Sequence, residues 1–380
     1  MSKNDQFSYA VLEDFRSGSI TREQASVLLG CSERAITRRV AKLRTLGMEG
    51  IKHGNTRRPP VNKLHTDFKE KVLTLVRSRY YDFNLLHLKE ILLEKESIDV
   101  SYTTLRRWCQ GASLLKHKRK NRTSKVRTYR ERMSSEGLLL QMDGSHHAWN
   151  NRDKWCLIAM IDDATSEIPY SEFFDTEDTV NCMKVLEAVI ALKGIPQAIY
   201  VDKAGWFGGT KRVNFSQFER ACNELGIRVI YANSPEAKGR IERAWKTFQD
   251  RLIPELRING IKGKAEANAY LRERFLPAYW NQRNRVEARS SRNCYRDIPT
   301  WTDLGQIFCI KDYRQVGKAM TFAYENKIYQ ITSRDVIGLS GTKIEIRSYR
   351  DGSWAVYRNK NPLAIKEVIR PKRQALRPAS

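Results

Sequence analysis

GLLLQMDGS at residues 137–145, KWCLIAMIDDATS at 154–166 and EIPYSEFF at 167–174 decide the fold of this chain. Each is a short apolar run bounded by turn residues, and together they predict three consecutive strands, the second and third joined at Asp162-Asp163-Ala164-Thr165-Ser166. Beyond them the hydrophobic period lengthens. Val180, Met183, Val185, Leu186, Val189 and Ile190 predict a helix that Gly194 and Pro196 end. QAIYVD (197–202), a glycine-rich stretch, the helical FSQFERACNELG (215–226), the strand-like RVIYAN (228–233) and a long helix from about Glu236 follow. Three strands and then alternating helices and strands predict an α/β domain with a mixed sheet.

Three acids stand out by placement in this domain. Asp143 ends the first strand, Asp202 ends the fourth, and Glu242 lies in the first turns of the long helix. If strands one and four are sheet neighbours, their acids sit side by side and the helix delivers Glu242 to the same point. Carboxylates are hard oxygen ligands, and such a cluster suits two Mg²⁺ (or Mn²⁺) ions acting on the attacking and leaving oxygens of a phosphodiester. Asp162 and Asp163 read instead as turn acids. His146 and His147, close behind Asp143, are candidates for DNA contact or for tuning the acids, and equally for plain surface loop residues.

LLLQMDGS, VDKAG, IRVIYANSPEAKGRIERAWKTFQDRL and YWNQRN resemble the DDE transposases of the retroviral-integrase superfamily, in particular bacterial insertion-sequence transposases. The resemblance covers about residues 138–290 and implies a ribonuclease-H-like core with Asp143, Asp202 and Glu242 as its metal triad. Asp202 follows Asp143 by 59 residues and precedes Glu242 by 40, the second gap being a little longer than usual in the family. The loop from Gly205 to Gly209 has room for the difference. In integrase-like proteins the face that Lys246 shares with Glu242, one helical turn apart, holds the DNA end. Gly239 reads as a site of close approach by DNA or the sheet.

Outside this core the chain is basic. Lys and Arg total 68 against 43 Asp and Glu, a net charge of +25 in 380 residues. Residues 1–137 carry +14 and 251–380 carry +14, while 138–250 carry −3. Two basic flanks around an acidic middle imply arms that grip a polyanion, with core carboxylates kept for another task. In the first flank, Thr21 and Gln24 form a capping box, Gly30-Cys31-Ser32 breaks the helix and Ser32 caps the next. That helix presents Arg34, Thr37, Arg38 and Lys42 outward, as a helix-turn-helix recognition helix requires. A second unit follows the Pro59-Pro60 break, with Phe68, Val72, Leu75 and Val76 at helical spacing, a helix from about Asn84 to Glu94, and a last helix capped by Ser101 that exposes Arg106 and Arg107.

Between Lys116 and Arg132 lie nine basic residues and one acid, among them Lys118, Arg119, Lys120 and Arg122, with few apolar residues to pack, so the run reads as a linker along phosphates. The second flank reads as helical and basic from Glu255 to Arg296, with Arg283, Arg285 and Arg289 placed to follow a backbone. From 316 to 368 it reads as short strands with turns at Asn326-Lys327 and Asp351-Gly352, a small β-barrel similar to the terminal barrels of integrases. The tail from 371 to 380 reads as disordered.

Mean hydropathy of −0.58 and the absence of an apolar run near the ~20 residues of a span exclude a membrane helix. The N-terminus also lacks the apolar stretch of a signal peptide, which leads to the expectation of a soluble, cytoplasmic, nucleoid-associated bacterial protein. Seven scattered cysteines with no CxxC pair exclude a disulfide framework and a zinc knuckle.

The expected organisation is therefore multidomain: helix-turn-helix domains at 1–55 and 60–115, a basic linker at 116–136, a ribonuclease-H-like α/β core at 137–300, a small β-barrel at 312–370 and a tail. The expected function is a transposase that binds terminal inverted repeats in double-stranded DNA, cleaves 3′ ends and transfers strands as a dimer or larger homo-oligomer. The rivals are a nuclease that only hydrolyses and a non-catalytic helix-turn-helix regulator.

Overall fold

The computed structural model describes residues 3–52, 64–115, 130–202, 217–231, 239–333 and 338–368. The chain divides into two compact units, residues 1–72 and 73–380. The first contains Lys3–Arg16 (α1), Arg22–Leu28 (α2) and Glu33–Leu46 (α3), which bury Val11, Leu12, Ala25, Ile36, Val40 and Leu43 together. The Thr21–Gln24 capping box forms in both directions, and Gly30 turns the chain at φ +58° before Ser32, which stands at the N-cap of α3. Arg34, Thr37, Arg38 and Lys42 are exposed along α3. The sequence reading did not anticipate α1, although its Val11 and Leu12 supply a third of this core.

Three further helices follow: Thr66–Ser78 (α4), Leu85–Glu96 (α5) and Tyr102–Gly111 (α6). Asn84 caps α5 by accepting from the His87 amide, and Ser101 caps α6 by accepting from the Thr104 amide. Arg106 and Arg107 point to solvent while Leu105, Trp108 and Cys109 are buried.

The expected strands form as Leu140–His147 (β1), Trp155–Asp162 (β2), Tyr170–Phe174 (β3), Ala198–Val201 (β4) and Arg228–Tyr231 (β5), in the order β3-β2-β1-β4-β5. β1, β2 and β3 are antiparallel, whereas β4 runs parallel to both β1 and β5. The mixed sheet is apolar on both faces, so each needs a cover. Met142, Ile158, Met160 and Val201 pack under Thr179–Lys193 (α7) and Gln217–Glu224 (α8). Leu157, Ala159 and Ile161, one residue out of phase, pack under Gly239–Ile258 (α9), Lys264–Tyr270 (α10) and a π-helical segment, Leu271–Trp280.

The YWNQRN motif closes this second layer. Trp280 Nε1 donates to the Ser166 carbonyl at 3.1 Å, and Asn281 (in α11, Asn281–Asn284) accepts from the Ile168 amide and donates to its carbonyl. The helix expected to continue to Arg296 stops here, because Arg285 is extended at ψ 135°. The arginines expected along a DNA backbone are engaged within the protein: Arg283 with Glu90, Arg285 with Glu136 and Glu167, and Arg289 with Glu131.

α5 docks on the second half of α9 through a charged seam. Arg251 meets Glu90, Arg257 meets Asp82, and His87 Nε2 lies 2.9 Å from Glu255, which also accepts from Tyr270. Burial alone raises the Glu255 pKa, but the hydrogen bonds from His87 and Tyr270 and the Arg251 charge outweigh it and hold this carboxyl below its usual range. A folded pKa below the unfolded one stabilises fully above the unfolded value, about 4.3 for Glu, and that stabilisation is lost as pH falls through the folded value. Glu255→Gln is therefore expected to lower stability by about 1–3 kcal/mol at neutral pH. Denaturant titrations should show the gap to wild type closing below about pH 4; a gap independent of pH would refute the account of this seam.

Leu304–Ile307 (α12) leads into seven C-terminal strands: Ile310–Gln315 (β6), Thr321–Tyr324 (β7), Lys327–Ile331 (β8), Lys343–Ser348 (β9), Trp354–Arg358 (β10), Asn361–Leu363 (β11) and Ile365–Glu367 (β12). Instead of the closed barrel expected, they form two sheets among the described residues, β11-β10-β9-β6 and β12-β8-β7. The chain folds back between β6 and β7, where the Gly317 amide donates to the Thr321 carbonyl, so β7 starts a new sheet. The two sheets share one core of Phe322, Tyr329, Ile331, Ile344, Ile346 and Val356. The first hairpin turns at Glu325-Asn326, both at positive φ, one residue earlier than expected. Asp351-Gly352 links β9 to β10 as expected.

All seven cysteines are free thiols. Among the described residues, no helix is long and apolar enough to cross a membrane.

Candidate active site

Sheet register sets the geometry of the three predicted acids. β1 runs on to His147, so Asp143 lies within the strand, opposite Ala159 of β2, and not at its end. Leu140 pairs with Ile199 and Gln141 with Tyr200 across the parallel β1–β4 ladder. Two residues further on, the same register sets Asp143 level with Asp202, the residue after β4. Met142 and Val201 face α7 and α8, so alternation turns both aspartates toward the α9 face. Both are half-buried.

α9 is fixed over that face at its first turn. The Ile241 amide donates to Gln141 Oε1 at 3.4 Å, and Arg240 Nη1 donates to Asp163 Oδ1 at 2.8 Å. Trp245 Nε1 donates to Asp143 Oδ2 at 2.8 Å. Glu242 lies one helical turn before Trp245, hence on the same side of α9, and is exposed. On the opposite face of the sheet, burial and then the charges of Glu177 and Asp143 push the Cys156 thiol up to about 12.

Asp162 and Asp163 hold this frame together. Both are fully buried, beyond what a turn requires. Asp162 accepts from the amides of Gly137, Ala164 and Thr165. Asp163 accepts from Arg130, Arg240, Gln141 and the Met133 amide. Trp245, Arg240 and Gln141, which the sequence reading passed over, and Asp163, which it took for a turn acid, are the residues that hold α9 and Asp143 in place. The spacing of Trp245 from Glu242 was the available signal for the first of them.

Trp245→Phe tests the positioning role, since it keeps an aromatic ring against Phe248 and removes only the N–H that holds Asp143. Losing a hydrogen bond to a charged group, about 1.5–3 kcal/mol, should slow the chemistry of this site roughly tenfold or more with folding intact. An unchanged rate would show that Asp143 needs no such support.

The other predicted residues are placed as follows. Arg34, Thr37, Arg38 and Lys42 lie on α3, and Arg106 and Arg107 on α6, all exposed. Lys246 is exposed one turn after Glu242 and borders a cleft of about 310 Å³ with Asn84, Leu86, Thr247, Asp250 and Tyr279. Lys118, Arg119, Lys120 and Arg122 fall outside the described residues, as do the 205–209 loop and the 371–380 tail. Among the described residues, a Cβ on Gly239 would meet Arg243 Nη1 at 3.5 Å and nothing of the sheet. His147 packs edge-on against Trp149, while His146 is exposed on the opposite face of β1 from Asp143.

Relatives match nearly the whole chain. The transposase for insertion sequence IS1202 of Streptococcus pneumoniae is 29% identical over 392 residues, spanning 92% of this chain and 83% of its own length. The protein y4bF of Sinorhizobium fredii (strain NBRC 101917 / NGR234), which bears the name transposase, is 34% identical over 361 residues, spanning 93% of this chain and 78% of its own. The chain belongs to the insertion-sequence transposases.

No protein-family profile matches the transposase. Among solved structures, it aligns with a simian T-cell lymphotropic virus intasome in complex with PP2A regulatory subunit B56 gamma, at 14% identity and a TM-score of 0.36, covering 72% of this chain and 93% of that one. It also aligns with the HTLV-2 integrase catalytic core domain in complex with magnesium (trimeric form), at 17% identity and a TM-score of 0.30, covering 36% of this chain and 84% of that one.

Proposed function

We propose that the transposase binds the terminal inverted repeats of its element, cuts their 3′ ends and joins them to target DNA at one site built from Asp143, Asp202 and Glu242. The observation that supports this most is the β1–β4 register, which levels Asp143 with Asp202 on the face that α9 covers. Three carboxylates are a hard donor set that fits Mg²⁺ or Mn²⁺, and the exposed Glu242 leaves the site open to a duplex. Two such ions, when bound, supply Lewis acidity at the attacking and leaving oxygens of a phosphodiester.

The chain's own residues hold that chemistry in place. Asp143 and Asp202 concentrate negative charge, Trp245 orients Asp143, and the Asp163–Arg240 pair fixes the helix turn that carries Glu242. In the first reaction a water oxygen attacks phosphorus at the element end, and the bond to the departing 3′-oxygen breaks, leaving a 3′-hydroxyl. In the second, that hydroxyl attacks a target phosphodiester and displaces the target 3′-oxygen. No Ser, Cys or Tyr nucleophile is needed.

Recognition is assigned to the helical modules. α2, the Gly30 turn and α3 act as one helix-turn-helix, with Arg34, Thr37, Arg38 and Lys42 toward the major groove. α5 and α6 act as a second, with Arg106 and Arg107. Lys118, Arg119, Lys120 and Arg122 follow phosphates, Lys246 holds DNA beside Glu242, and the two-sheet C-terminal module serves as a DNA or subunit contact. An element has two ends to be brought together, so at least two protomers meet on DNA. Arg38→Ala should weaken terminal binding by about 1–3 kcal/mol, selectively if it reads a base and uniformly if it touches phosphate. Unchanged binding to both terminal and random DNA would place α3 away from the duplex.

Incubating the full chain with Mg²⁺, terminal DNA and target plasmid tests the whole reading. Cut ends and joined products are expected. Cutting without joining points to a hydrolytic nuclease, and specific binding with neither product points to a regulator.

A further inference from the structure

On the face of the sheet away from Asp143 and Asp202, three ligand-bearing side chains meet. His146 and Cys156 are direct cross-strand partners in the β1–β2 ladder, and opposite residues of an antiparallel pair project to the same side. Glu177, just before α7, reaches in from the third side. Each offers one ligand atom, and these atoms all lie within 4.8 Å of one another, with His146 Nε2 3.9 Å from Glu177 Oε2. Donors around a tetrahedral ion are about 3.3–3.6 Å apart, given Zn–S near 2.3 Å and Zn–N or Zn–O near 2.0 Å. Closing the cluster takes a movement of at most about 1.5 Å, and His146, whose side chain is 56% exposed, has room to make it.

Gly144 shapes this cradle. A Cβ at that position would lie 2.3 Å from Glu177 Oε2 and 3.0 Å from Cys156 Sγ, so only glycine lets the carboxylate lie against the thiol across β1. The same residue keeps the strand next to Asp143 free of a side chain on this face.

We infer that His146, Cys156 and Glu177 form a second metal site, selective for a soft or borderline divalent cation such as Zn²⁺ and chemically distinct from the all-carboxylate site on the other face. One sulfur, one imidazole nitrogen and one carboxylate oxygen, with a fourth position open through the exposed His146, is a donor set that Zn²⁺ accepts and Mg²⁺ does not. The ion enters as the Cys156 S–H bond breaks, the proton goes to solvent and the thiolate sulfur bonds the metal. Its effect is to tie β1, β2 and the segment before α7 together three residues from Asp143, stiffening the strand that carries the acid. None of this depends on the DNA chemistry proposed above.

The test is a Co²⁺ titration of full-length protein stripped with chelator. A thiolate-to-cobalt charge-transfer band and tetrahedral visible bands should appear at a single equivalent and vanish on adding Zn²⁺. The band should be lost in Cys156→Ser and kept in Asp202→Asn, which touches only the oxygen site. Removing an outer ligand, by His146→Ala or Glu177→Gln, should weaken Co²⁺ binding about tenfold or more. Zn²⁺ should also raise the thermal midpoint of wild type and leave that of His146→Ala unmoved. Because His146 is exposed, its variant decides the matter even if Cys156→Ser folds poorly. Absence of a thiolate band, a band of full strength in Cys156→Ser, or unchanged Co²⁺ affinity in His146→Ala or Glu177→Gln would overturn the assignment.

Discussion

Asp143→Asn, Asp202→Asn and Glu242→Gln are each expected to lower Mg²⁺-dependent cleavage of element ends by about a thousandfold or more while terminal DNA is bound with unchanged affinity. Each amide keeps the size of the acid and removes one negative charge from a site whose work is to concentrate cation charge at a phosphodiester. A Lewis-acid contribution of several kcal/mol corresponds to about three powers of ten in rate, at 1.36 kcal/mol per tenfold. In Asp143→Asn the amide's carbonyl oxygen still accepts from Trp245, so the packing of α9 on β1 survives the change. Gel-based cleavage and mobility-shift assays on the same preparations measure both quantities. Cleavage within tenfold of wild type by any one variant would remove that residue from the site.

The second large effect is structural. Asp163→Ala is expected to destabilise the second unit by about 3–5 kcal/mol, because it leaves the buried ends of Arg240 and Gln141 without their acceptor, together with the Arg130 guanidinium and the Met133 amide. Arg240 is only 10% exposed at its side chain and cannot turn fully to water. α9 starts at Gly239, so loosening Arg240 loosens the turn that carries Glu242. Denaturant unfolding should show a lower midpoint, and cleavage by the folded fraction should fall as well. A midpoint shift below about 1 kcal/mol would mean that Asp163 is a turn residue after all.

That contrast shows where sequence reasoning reached and where it stopped. The five strands and their helices were legible because each segment carries its own period, and an alternating run such as Met142, Ile158 or Val201 states which face it buries. Asp202 and Glu242 stand where the sequence reading put them, just after β4 and in the first turn of α9, whereas Asp143 was read at a strand end that β1 in fact runs past. Asp163 was not legible, because its partners lie 22 to 77 residues away, at Gln141 and Arg240, and nothing local separates a hub from a turn acid. The same holds for Arg283, Arg285 and Arg289: a basic run looks alike whether it meets phosphate or the carboxylates of Glu90, Glu136 and Glu131.

Local patterns failed in other ways elsewhere. α1 was missed because its polar residues dilute the signal of Val11 and Leu12, and tertiary packing on Ile36 and Leu43 makes up the difference. The closed barrel was expected from short strands, their turns and a similarity to the terminal barrels of integrases, whereas the fold-back at Gly317 divides the strands between two sheets. His146, Cys156 and Glu177 come from three elements, and only the β1–β2 register brings the first two face to face.

The account rests on one site serving both cutting and joining, and one variant examined on two substrates tests that most directly. Asp202→Asn protein should be assayed in Mg²⁺ on an intact element end, which requires hydrolysis, and on a precut end with a free 3′-hydroxyl, which requires only strand transfer. The account predicts that both reactions fall together to background while both DNAs remain bound; joining of the precut end at the wild-type rate would contradict it.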